Sequence, residues 1–146
     1  MSLLRQRLPQ ETPLRVLLIE NLPRYEYRFL RDALLADKGL LLSSFLASAD
    51  DDWPQPASKG VEPLTRDAVR TALLKGLGAF DVVVWGDIRL ERFFKDAALD
   101  DAAKSLVDFA ESGHGLLFIA GGGYEKDPPK KALADLLPGP PPPERP

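Results

Sequence analysis

Gly115-Leu116-Leu117-Phe118-Ile119-Ala120-Gly121-Gly122-Gly123-Tyr124 decides how the rest of the chain is read. Leu116 to Ala120 is a continuous apolar run, the pattern of a strand buried on both faces, and it runs straight into a triple-glycine turn. In an open α/β sheet, ligands and nucleophiles gather just beyond the carboxyl end of a strand. This turn carries no Ser, Cys, Thr or Lys. It has the outline of a reactive site without a reactive atom.

Working outward, Arg15 to Glu20, Leu40 to Ala47 and Asp81 to Gly86 repeat the apolar strand pattern. Between the first two, Tyr25, Phe29, Leu30, Ala33 and Leu34 recur at helical spacing and form the predicted inward face. Arg24, Glu26, Arg28, Arg31 and Asp32 fall largely on the other side. Pro23 suits the first position of that helix and Gly39 its C-cap. Arg66 to Leu74 is a second predicted helix, capped by Thr65. Ala97 to Ser112 is a third, with Ala98, Ala102, Leu106, Phe109 and Ala110 as its inward stripe and Gly113 as its stop. Lys130 to Leu137 reads as a short closing helix. Ser48 to Thr65 is a long irregular stretch, of the kind usually functional or disordered.

Strands alternating with helices predict an α/β fold: a three-layer, mainly parallel sheet with helices on both faces. A flavodoxin-like strand order of 2-1-3-4 satisfies the connection rules. Residues 1–13 read as an extended lead-in, 14–138 as one domain, and 139–146 as a Pro-rich tail. Residues 138–146 alone hold six of the 14 prolines, which favours extended polyproline-type chain.

The totals narrow the function classes. A chain of 146 residues holds one domain with its own core. Its net charge of -3 gives no electrostatic reason to expect nucleic acid or an anionic membrane. There is no Cys, which excludes thiol catalysis and thiolate metal sites, and His114 is the sole histidine. No apolar run approaches the roughly 18 residues of a membrane span. Neither a cofactor, nor a nucleic-acid partner, nor membrane insertion is expected, and no cellular compartment is indicated.

Glu20, Asn21, Asp87, Gly121, Gly122 and Gly123 form the candidate ligand-binding crevice, because all follow strand ends that should be neighbours. The glycines could bind an anion through backbone N–H groups, although they match neither Gly-x-Gly-x-x-Gly nor a P-loop. The plainer reading is a tight turn needing positive φ. Glu20 and Asp87 could share a divalent cation, as in phosphoacceptor receiver domains. The plainer alternative has them cap adjacent helices or face water. Arg24, Glu26 and Arg28 read as a solvated ion-paired face, or as a lining of the crevice to which Tyr25 or Tyr27 adds a hydroxyl. Asp50-Asp51-Asp52 lacks the alternating pattern of a calcium loop. Trp53 anchors its loop or offers a partner contact, and His114 reads as an exposed turn residue.

Three segments together carry a resemblance: Arg15 to Leu30, with Glu20-Asn21-Leu22-Pro23-Arg24-Tyr25-Glu26-Tyr27-Arg28-Phe29-Leu30 at its core; Phe80 to Asp87; and the glycine-rich strand with Ala132 to Pro138 behind it. The combination resembles the class I glutamine amidotransferase-like domains of large bacterial proteins, over roughly Pro13 to Pro138. The resemblance implies an α/β fold and a nucleophile turn. Laid on that turn, Ala120 falls at or beside the position of the family's Cys, and no His follows His114. It therefore implies no catalytic residue. The expectation is a non-catalytic binding or assembly module, partnered by other domains of a larger protein or by further copies of itself. The alternative is a small-ligand or metal-binding enzyme or sensor using the crevice.

Overall fold

Consecutive apolar residues in a strand serve two cores at once, and the first strand shows this directly. In β1 (Leu14–Glu20), Val16 and Leu18 face one side of the sheet while Leu17 and Ile19 face the other, all four buried. The computed structural model of the chain describes residues 12–126 together with 133 and 136. Within them, β1 pairs in parallel with β2 (Leu40–Leu46) and with β3 (Val82–Trp85), and β3 with β4 (Gly115–Phe118). The order is β2-β1-β3-β4, as expected from the connection rules. The fold is α/β with a four-stranded parallel sheet, consistent with a flavodoxin-like arrangement.

Helix α1 (Tyr25–Ala36) joins β1 to β2. Its Tyr27, Leu30, Leu34 and Leu35 pack with Val16, Leu18, Leu42, Leu46 and Val84. The connection from β2 to β3 contains α2 (Arg66–Thr71), which runs on through a π-helical turn, Ala72–Gly76, and a 3₁₀ turn, Leu77–Ala79. Thr65 caps α2, its hydroxyl accepting from the Ala68 N–H at 3.1 Å. A 3₁₀ turn, Leu90–Arg92, precedes α3 (Asp96–Glu111). Ala102, Leu106 and Phe109 of α3 bury against the other core, which holds Leu17, Ile19, Phe45, Val83 and Trp85. Gly113, at φ 96°, ends α3 in the left-handed conformation that glycine supplies cheaply. After β4, the short α4 (Gly122–Lys126) starts inside the glycine run.

Several expectations change. Tyr25 and Phe29 do not face the core: they are 79% and 67% exposed, and Tyr27 takes the inward position instead. Pro23 lies before the helix, whose N-cap is Arg24. The C-terminal turn is closed by Asp37, whose carboxylate accepts from the Gly39 N–H at 2.7 Å, and Gly39 has no positive φ. Trp85 is buried, its indole N–H donating to the Ile88 carbonyl at 2.8 Å. The predicted closing helix at 130–137 lies mostly outside the described residues, although Leu133 and Leu136 pack on the α3 side. The lead-in up to residue 11 and the Pro-rich tail also lie outside them.

The amino ends of β1 and β3 are locked by charge. Arg15 donates to Asp81 through its backbone N–H at 2.9 Å and through its guanidinium at 3.3 Å, while the Asp81 N–H donates to the Arg15 carbonyl. The side-chain and then the backbone hydrogen bonds from Arg15 hold the Asp81 carboxyl below its ordinary value of 3.8. A depressed folded value means that the lock stabilises the fold above pH 3.8 and that this contribution fades as pH falls through the folded value. Asp81→Asn should therefore lower the urea midpoint at pH 7, and the gap to wild type should narrow at pH values below the Asp81 pKa. A gap that stays constant with pH would show that the lock does not act through charge.

Candidate functional site

Strand β1 ends at Glu20, which is 2% exposed yet charged by type. A buried carboxylate needs compensating donors, and the surrounding strand ends supply them. Its Oε1 accepts from the Asn21 N–H at 3.0 Å and the Asp87 N–H at 3.1 Å. Its Oε2 accepts from Arg24 Nη2 at 2.8 Å, an ion pair between residues four apart. Arg24 reaches further: the same nitrogen donates to the Ile119 carbonyl at 3.0 Å, and Nη1 to the Ala120 carbonyl at 3.5 Å. One arginine thus joins the end of β1 to the residues after β4, across β3. Burial opposes its charge, but the hydrogen bond and Coulomb attraction of Glu20, with the fields of Asp87 and Glu26, hold its pKa above the ordinary guanidinium value.

Asp87 completes the arrangement from the end of β3. Its Oδ2 accepts from the Gly123 N–H at 2.9 Å and its Oδ1 from the Tyr124 N–H at 2.8 Å. It acts as a cap for α4 supplied from a distant part of the chain. Gly121 and Gly123 are required for close approach, Gly122 has open space around it, and none of the three adopts the positive φ expected of the turn. A Cβ on Gly121 would stand 2.7 Å from Asp87 Oδ2 and would also collide with Arg24 Nη1; one on Gly123 would meet both Asp87 oxygens at 3.0 Å. Gly86 serves the same purpose opposite Glu20, whose carboxylate occupies the space where a side chain would be.

The six predicted crevice residues therefore converge at one end of the sheet. Arg24 lines the crevice beside Glu20, and its partnership with that residue was visible only as an i, i+4 spacing. Gly86 carried no sequence signal beyond its place after a strand. Tyr25 and Tyr27 contribute nothing to the crevice: Tyr25 points outward and Tyr27 is buried beneath α1. Two buried atoms there have no protein partner, Asn21 Oδ1 and Arg24 Nε. Among the described residues, no three acidic or histidine side chains are grouped to hold a metal ion. No described helix is long and apolar enough to cross a membrane.

Elsewhere, Arg66 donates to the Ala47 carbonyl at 2.8 Å and lies over the rings of Phe45 and Phe93. It also borders a cavity of about 290 Å³ shared with Asp50, Asp51, Trp53 and Gln55. Trp53 remains 40% exposed. An apolar cavity of about 260 Å³ lies between Trp85, Ile88, Leu90, Leu99 and Phe118. His114 stacks on Phe109 at 4.5 Å and shares a 2.8 Å hydrogen bond with Ser112. The Ser112 hydroxyl also bonds to the Phe109 carbonyl at 2.9 Å, so this pair closes the end of α3. No family model, curated protein or solved structure matches this chain.

The close approaches make stability the direct readout of this site. Gly86→Ala should cost about 1–3 kcal/mol by driving a methyl group into the Glu20 carboxylate. Glu20→Gln, which keeps the shape and removes the charge, should cost about 3 kcal/mol, the low end for a broken buried pair because Arg24 retains some access to water. Urea unfolding measures both, and a Gly86→Ala protein as stable as wild type would show that the approach is not close.

Proposed function

We propose that this chain is a non-catalytic domain of the class I glutamine amidotransferase-like type, with a three-layer flavodoxin-like architecture, acting as a binding or assembly module. The observation that carries the reading is the state of the crevice. Where an open α/β sheet presents reactive groups, this one presents carboxylates already engaged by its own Arg24 and backbone N–H groups. Ala120, at or beside the family's nucleophile position, offers only a methyl group and a carbonyl that accepts from Arg24. The parallel β2-β1-β3-β4 order and the helix that starts in the glycine run after β4 are in keeping with the family reading.

A second reading rests on Asn21 Oδ1 and Arg24 Nε, one acceptor and one donor without protein partners. They suit a small polar ligand that carries both functions, which would make the domain a sensor or an enzyme. The two readings separate cleanly. Purified protein incubated with glutamine should release no ammonia above the buffer rate, and turnover that purifies with the protein would overturn the module reading. A thermal-shift screen of metals, nucleotides, sugars and phosphates should give no stabilisation; a shift lost in Asn21→Ala would favour the sensor.

A further inference from the structure

Helix α1 carries two apolar stripes, and the sheet uses only one of them. Tyr27, Leu30 and Leu34 face the core. Tyr25, Phe29, Ala33 and Ala36, at i, i+4, i+8 and i+11, share the opposite face, and all four are exposed. Tyr25 and Phe29 stack on one another with ring centroids 6.4 Å apart, and Leu22 beside them is 54% exposed. An outward aromatic pair on a helix is an unusual use of apolar surface and marks an interaction face.

We infer that this face binds a second copy of the chain through antiparallel, two-fold pairing of α1 helices. The stripe is bulky at its amino end, with Tyr25 and Phe29, and small at its carboxyl end, with Ala33 and Ala36. Two-fold antiparallel pairing sets the bulky end of each helix over the small end of the other. Tyr25 then lies over Ala36 of the second copy and Phe29 over Ala33. The charges agree with the same register. Arg28 and Asp32 lie on one flank of the stripe, and antiparallel pairing brings equal flanks together, so each Arg28 stands opposite the other copy's Asp32. Asp32 is 68% exposed in its side chain and bonds Arg31 through one oxygen, leaving the other to face outward. Parallel pairing would instead place aromatic on aromatic and bring opposite flanks together, so that Arg28 no longer meets the other copy's Asp32.

The area sets the class of interface. Four aromatic side chains at about 150–250 Å² each bury about 600–1,000 Å². Stable complexes bury about 1,200–2,000 Å². That area places the pair among small, transient interfaces.

This inference rests on the assembly reading above and names its partner. Sedimentation equilibrium of the full chain, over a wide span of concentrations, should show a monomer–dimer equilibrium. Phe29→Asp should abolish the dimer while leaving circular dichroism and Tm unchanged, because the side chain is outside the core. Arg28→Asp and Asp32→Arg should each weaken association about tenfold, and the double exchange should restore it. Wild-type protein that stays monomeric throughout, a dimer indifferent to Phe29→Asp, or an exchange that fails to restore association would each overturn the inference. A monomer without glutamine turnover removes the dimer and leaves the module reading standing. A dimer that hydrolyses glutamine does the reverse.

Discussion

The pairing of Glu20 with Arg24 is the constraint on which the rest of this structure depends. A carboxylate buried at the end of β1 is tolerable only with strong donors, and its neighbours are arranged to provide them. Because Arg24 also holds the carbonyls of Ile119 and Ala120, the charge that neutralises Glu20 ties the chain after β4 to the start of α1. Gly86 and Gly121 follow from this requirement: any side chain at either would displace the carboxylate or the guanidinium. Asp87, its own N–H spent on Glu20, turns its carboxylate to the next free donors, those of Gly123 and Tyr124.

The same pair sets how α1 lies on the sheet. With the Arg24 side chain drawn towards the end of β4, the residue three positions on, Tyr27, falls against Val16, Leu18 and Leu42. Tyr25 and Phe29 are then carried to the far side of the helix. Neither ring contributes to the sheet contacts, so polar residues at these two positions would serve the fold equally well. That two large aromatics remain is the reason to assign the face a partner rather than to treat it as incidental.

How much of this was legible in the sequence depends on the range of the deciding interaction. Strands and their order were readable from runs such as Val82-Val83-Val84-Trp85, but the expected burial of the β4 run on both faces fails, because β4 lies at the sheet edge and Leu117 is 51% exposed. The Thr65 cap and the Gly113 stop were readable as well. The phase of α1 was not. Of the expected inward face, Leu30 and Leu34 pack on the sheet, Tyr25, Phe29 and Ala33 are exposed, and Tyr27, absent from that expectation, is buried. The crevice was legible as a meeting of strand ends, while its closure by an internal cation was not.

A parallel sheet collects the dipoles and loose ends of its strands at one edge, and that edge must be satisfied by something. In a domain that uses the position for chemistry, a ligand or substrate completes the set of partners. Here Glu20, Arg24 and Asp87 complete most of it internally, so little interaction energy is left to hold a ligand tightly. A site so engaged favours a rigid sheet over a reactive one. On the proposed reading, specific recognition falls to surfaces that the sheet does not need, such as the outward stripe of α1.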